Sequence, residues 1–140
     1  MTQISTELSE DEYKELDKLV KYGVFNDEKD AVNFSVKLLI KQEKIKNEDL
    51  IKGIAAVNGF LMDNLGDLPF ATHPLSIYHN NKKVYKFPIK TRLGWDKNIL
   101  LGFVCVDSET FEIVPEISDS PEKLNKICEQ IEKEVESSLS

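Results

Sequence analysis

The chain has 140 residues, 41% of them apolar, with five prolines and six glycines, so it is globular and can hold one modest core or two small ones. Its formal net charge of −7 and pI near 4.9 have the wrong sign for a protein that lives by phosphate contacts alone. The acid is unevenly spread: residues 116–140 carry seven acidic side chains against three basic ones, whereas residues 1–46 carry ten against eight.

The two cysteines, Cys105 and Cys128, form no CxxC pair and no disulfide-rich spacing, which predicts reduced thiols in a cytosolic protein. No basic segment leads into an apolar run and cleavage site at the N-terminus, and no stretch approaches the roughly 18 apolar residues of a membrane span. The expectation is a cytoplasmic protein with no membrane partner.

Residues Gln3 to Leu8 alternate, with Ile4, Thr6 and Leu8 on one face and Gln3, Ser5 and Glu7 on the other, which predicts a strand. Ser9 then stands as an N-cap with Glu12 three residues on, the spacing of a capping box, and Leu8 and Tyr13 occupy the positions of a hydrophobic staple. Tyr13, Leu16, Leu19 and Val20 recur at helical spacing, Glu10, Asp11 and Glu12 place acid in the first turn, and Gly23 ends the helix. A second helix starts near Asn26 or Asp27 and carries Ala31, Val32, Phe34, Val36, Leu38, Leu39 and Ile40, an apolar arc wider than a surface helix needs. One strand and two helices have an unpaired strand edge and too little core to stand alone. The economical solution is a symmetric homodimer whose two strands pair antiparallel.

This order, with Ile4, Thr6 and Leu8 inward, Leu16 and Leu19 in the first helix, Gly23 at the turn and Asp30-Ala31-Val32-Asn33 in the second helix, resembles the ribbon-helix-helix family of dimeric DNA-binding regulators. The resemblance covers roughly residues 2–43. It implies that paired strands enter the major groove of double-stranded DNA, with Gln3, Ser5 and Glu7 toward base edges and Asn26, Asp27 and Glu28 beside the phosphate at the second helix's N-terminus. Gln3 suits adenine and Ser5 several base edges, whereas Glu7 accepts only from cytosine and repels phosphate. Asp27 and Glu28 also put negative charge where an anion would dock. The rival reading keeps the module solely as a dimerisation device.

Past the polar run 41–49, apolar residues from Leu50 to Leu65 recur at helical spacing, predicting a third helix from Glu48 to about Leu65 that is stopped by Gly66, Asp67 and Pro69. Strands follow. Ser76–His79 and Lys82–Thr91 flank Asn80-Asn81 as a two-residue hairpin, and Asn98–Asp107 and Thr110–Val114 flank Ser108-Glu109 in the same way. Pro121 after Ser120 opens a last helix whose buried face is Leu124, Ile127, Cys128, Ile131 and Val135. The segment GFVCVDSETFEIVPE loosely resembles the last hairpin of small PepSY-like domains, with Thr110-Phe111 in place of their usual Thr-Gly, and it implies a sheet order and no function.

The fold expected is therefore α+β: a ribbon-helix-helix dimerisation module over residues 1–46, then a small α-β-β-β-β-α domain with an antiparallel sheet over residues 47–140. Strand alternation places Lys86, Lys90 and Arg92 on one face, a candidate anion-binding surface whose bland alternative is a solvated outer face, and Tyr85, Phe87 and Ile89 on the other. His73, His79, Cys105 and Asp107 are too scattered in sequence for a metal site, and no GxSxG, HExxH, P-loop or GxGxxG motif occurs. The reading is a non-enzymatic regulator with no catalytic residues, no metal and no cofactor. Its C-terminal domain would bind a small-molecule effector or set higher assembly.

Overall fold

The structure, a computed structural model, describes residues 7–40, 45–91 and 99–139. The predicted strand at Gln3–Leu8 lies almost wholly outside them, as does the loop carrying Arg92. In chain order the elements are helices α1 (Glu10–Lys21), α2 (Glu28–Ile40) and α3 (Asn47–Leu65), then strands β1 (Pro69–Ala71), β2 (Leu75–His79), β3 (Lys82–Thr91) and β4 (Ile99–Asp107). A 3-10 turn over Pro115–Ile117 leads into helix α4 (Pro121–Leu139). The α+β class and the four-stranded antiparallel sheet agree with the sequence reading.

Strand β3 is the spine of the sheet. It pairs with β4 along one edge, and with β1 and β2 in succession along the other. The break between β1 and β2 has a local chemical cause. Pro88 has no N–H to give, and the carbonyl it does have takes both the Thr72 N–H and the Thr72 hydroxyl at 2.9 Å. The ladder opens opposite that proline and resumes after Pro74. At the other end of β2, Asn80 and Asn81 have φ of 51° and 63°, the left-handed pair that a two-residue hairpin of the right twist requires. That turn is as the sequence predicted.

The fourth strand is not the one expected. Thr110–Val114 makes a single bridge, Val106 to Ile113, and Pro69–Ala71, of which the sequence reading placed only Pro69, as a helix stop, supplies the extra strand. The reason lies in Asp107. Its carboxylate accepts from the Glu109 and Thr110 N–H groups at 2.7 and 3.1 Å, and its carbonyl accepts from Phe111 at 2.9 Å. The connection becomes a four-residue loop instead of a two-residue turn. Phe111 sits at φ 59°, a conformation costly for a bulky residue. After Val114 the chain turns along the outer edge of β4. Ser118 Oγ accepts from the Cys105 N–H and Asp119 Oδ2 from the Phe103 N–H, both at 2.8 Å.

The sheet has covers on both faces. Cross-strand partners point the same way, so Tyr85, Phe87 and Ile89 share a face with Val106, Val104 and Gly102. Against that face lie α3, whose Gly53 abuts Phe87, and α4, whose Leu124 fills the space over Gly102. Phe87, Ile89, Val104, Val106, Leu61 and Leu124 are fully buried there. The opposite face presents Lys86, Cys105 and Phe103. Here the α1–α2 hairpin delivers Phe25 and Phe34, whose ring centroids lie 5.7 and 4.7 Å from that of Phe103. Val24, Phe25 and Ala31 thus join the same buried cluster as Val57, Phe87 and Leu124.

Candidate nucleic-acid interface

The α1–α2 hairpin is built by short-range hydrogen bonds that its sequence dictates. Ser9 Oγ accepts from the Glu12 N–H at 3.2 Å, and the Glu12 carboxylate accepts from the Ser9 N–H at 3.0 Å, the full reciprocal capping box. That pairing holds the Glu12 carboxyl below its ordinary pKa, through the backbone hydrogen bond first and the hydroxyl second. At the other end Gly23, at φ 83°, lets the Val24 N–H reach the Leu19 carbonyl and its own N–H reach that of Val20. The Schellman closure made this way needs a left-handed residue, which glycine supplies without strain.

Asp27 caps α2, its Oδ1 accepting from the Asp30 N–H at 2.7 Å, while Asp30 Oδ2 accepts from the Asn26 N–H at 3.2 Å. The Tyr13 hydroxyl donates to the Glu28 carboxylate at 2.8 Å and ties the start of α2 to α1. That bond, followed by the charge of Glu28, raises the Tyr13 pKa.

Of the residues assigned toward DNA by resemblance, Gln3 and Ser5 lie outside the described residues, and Glu7 is exposed ahead of α1. Asn26, Asp27 and Glu28 do come together, exposed, at the start of α2. Two of the N–H groups that a phosphate would use there are held by the chain's own carboxylates. An incoming phosphate would have to displace Asp27 and Asp30 and work against their charge.

The lysine face differs from a plain solvated surface. Lys86 is half-buried, its Nζ 4.4 Å from the ring centroid of Phe103 and 5.3 Å from that of Phe34. A cation held over two aromatic rings is attracted by their faces, and here it links β3 to α2. Lys90 is also half-buried. Sequence alternation put Lys86 and Lys90 on the correct face but missed its cover, because Val24 and Phe25 fall between the two predicted helices. The signal was an apolar pair immediately after the turn glycine.

Cys105 is buried directly across from Lys86. Burial pushes its thiol up to about 11, outweighing the nearby lysine, so it stays protonated and donates to the Ile117 carbonyl at 3.5 Å. Cys128 is likewise a free thiol, half-buried and raised by burial. His73 is exposed between β1 and β2, and His79 closes β2 beside Asn80. Among the described residues no three His, Cys, Asp or Glu side chains group to hold a metal ion, and no helix is long and apolar enough to cross a membrane.

No protein-family model, curated protein or solved structure matches the chain. Functional reading therefore rests on the residues themselves.

Proposed function

We propose that the chain is a homodimeric DNA-binding transcriptional regulator. A ribbon formed by the N-terminal segments of two copies would enter the major groove, and the C-terminal domain would set assembly or take an effector. The observation that carries this reading is the α1–α2 hairpin. A capping box, a Schellman glycine turn and an Asp-capped second helix follow one another in the order and spacing that the ribbon-helix-helix resemblance calls for. Gln3 and Ser5 supply neutral hydrogen-bonding side chains suited to base edges, and Glu7 is the residue that opposes them.

A second reading is favoured by the acidic start of α2. With the Asn26 and Asp30 N–H groups bonded to Asp30 and Asp27, the hairpin would serve dimerisation alone in a non-enzymatic assembly protein. Titration of the full chain against fragments of its own upstream DNA at low salt separates the two. The regulator reading expects binding that weakens as salt rises. It also expects Glu7→Lys to tighten binding and steepen the salt dependence by about one unit of log–log slope for each additional phosphate that the lysine neutralises. Absence of binding by both proteins overturns it and leaves the dimerisation reading.

A further inference from the structure

Along α4 every exposed residue among the described ones is polar or charged, and along α1 the one exception is Tyr13. Helix α3 breaks this pattern. From Gly53 to Met62 it carries no charged side chain, in a chain that is 31% charged. Between Lys52 and Asp63 its exposed residues are Ala55, Gly59 and Met62. Ile51 is 68% exposed and Met62 58%, so two large apolar side chains stand in solvent on a helix whose other face is already packed on Phe87. Apolar surface of this kind, rimmed by charge, is typical of an interaction site.

At 3.6 residues per turn, positions eleven apart return to within about 20° of each other. Ile51 and Met62 therefore share one flank of the exposed face and Lys52 and Asp63 the other, with Ala55 and Gly59 on the line between them. We propose that this face packs against the same face of a second copy, the two α3 helices antiparallel about a two-fold axis at Val57. Such an axis keeps each flank on its own side and reverses the order along it. Ile51 then meets Met62 of the other copy, Lys52 meets Asp63, and Ala55 meets Gly59, whose small size lets the two backbones approach closely. The midpoints of the three pairs fall within half a residue of Val57, about 0.75 Å of helix rise.

Charge complementarity makes a second copy the occupant. Lys52 and Asp63 stand about 16 Å apart along one helix, too far to pair within a chain. The two-fold axis turns them into two ion pairs, one at each end of the apolar strip. A parallel arrangement would instead set lysine against lysine and aspartate against aspartate. Glu48, the other exposed acid of α3, is held by Lys52 at 3.1 Å and falls opposite Gly66, which has no side chain. A strip about 16 Å long and about 10 Å wide falls well short of the roughly 800 Å² per partner of a stable complex. Association by this face is therefore weak and concentration-dependent, and it adds to any dimer formed by the N-terminal module instead of replacing it.

The test uses the full chain in a sample that mixes isotopically labelled and unlabelled copies. At high micromolar concentration, wild type should show a nuclear Overhauser contact between the Ile51 and Met62 methyl groups. Within one chain these lie too far apart to give one, so the contact reports two copies even where the N-terminal module already holds the chain as a dimer. Lys52→Glu alone, and Asp63→Lys alone, set like charges against each other at both ends of the strip. Each should lose the contact and raise the concentration of half-association by this face at least tenfold, with unchanged far-UV circular dichroism. An equal mixture of the two variants restores both ion pairs and should regain the contact. If wild type shows no such contact, if either variant alone keeps it, or if the mixture fails to regain it, the proposal is overturned. None of these readouts involves nucleic acid, so this outcome is separate from that of the DNA titration.

Discussion

Gly53 lies in the middle of α3 with Phe87 directly beneath it. A Cβ built there would stand 2.6 Å from Phe87 Cζ, and Phe87 is fully buried with nowhere to retreat. Gly59, further along the same helix, has nothing within 4 Å. The two positions therefore respond in opposite directions to the same substitution. Gly53→Ala should cost about 1–3 kcal/mol through overpacking, whereas Gly59→Ala should gain about 0.4–1 kcal/mol by helix propensity and reduced unfolded-state entropy. Chemical denaturation of the two variants side by side checks this, and equal shifts would mean that α3 does not approach the sheet as closely as Phe87 indicates. In sequence the two are alike, glycines inside one continuous helical pattern. Only the approach of Phe87, from a strand far along the chain, distinguishes them.

At the scale of elements, chain ends and turns hold by bonds within a few residues, and acid tests them directly. The Asp107 carboxyl is held below its ordinary pKa by the Glu109 and Thr110 N–H groups, in that order. A depressed carboxylate contributes stability that is complete above its unfolded-state pKa of about 3.9 and is lost as pH falls through the folded value. The Glu109 and Thr110 amide resonances should then titrate with a midpoint below about 3.9, with faster amide exchange at the acid end. A midpoint at or above the ordinary aspartate value would show that the carboxylate does not cap the loop. The exposed ion pair between Lys18 of α1 and Glu134 of α4, at 3.9 Å, is of a kind worth little, and it is not what joins those helices. Beside it the Tyr22 hydroxyl is pushed up to about 12, mainly by burial and then by Glu134.

On the scale of the whole molecule, the α1–α2 hairpin joins the core through Val24, Phe25 and Ala31, and its aromatic contacts with the sheet are Phe25 and Phe34 on Phe103, with the Lys86 cation over Phe34 and Phe103. Aromatic contacts of this geometry add about 0.5–1.5 kcal/mol beyond area burial, so Phe34 carries a measurable share of the joint. Phe34→Ala should lower amide-exchange protection throughout α1 and α2 about tenfold or more, equivalent to about 1.4 kcal/mol, while β3 amides keep theirs. Equal loss in the hairpin and in β3 would mean that the two unfold as one cooperative unit.

What the sequence determined by itself is local. The capping box at Ser9, the glycine turn at Gly23, the Asn80-Asn81 hairpin and the start of α4 after Ser120 were all legible, because each is closed by bonds within about five residues. The faces of β3 were legible for a similar reason, since alternation is a property of the strand alone. The tertiary structure decided what depends on distant partners. It made Pro69–Ala71 a strand because the chain beyond Pro88 gave it an edge to pair with, and it left Thr110–Val114 with one bridge once Asp107 had widened the loop. It also set Lys86 over two rings contributed by α2 and β4. No periodicity records those choices, because they are made where segments far apart in the chain compete for the same hydrogen bonds and the same face.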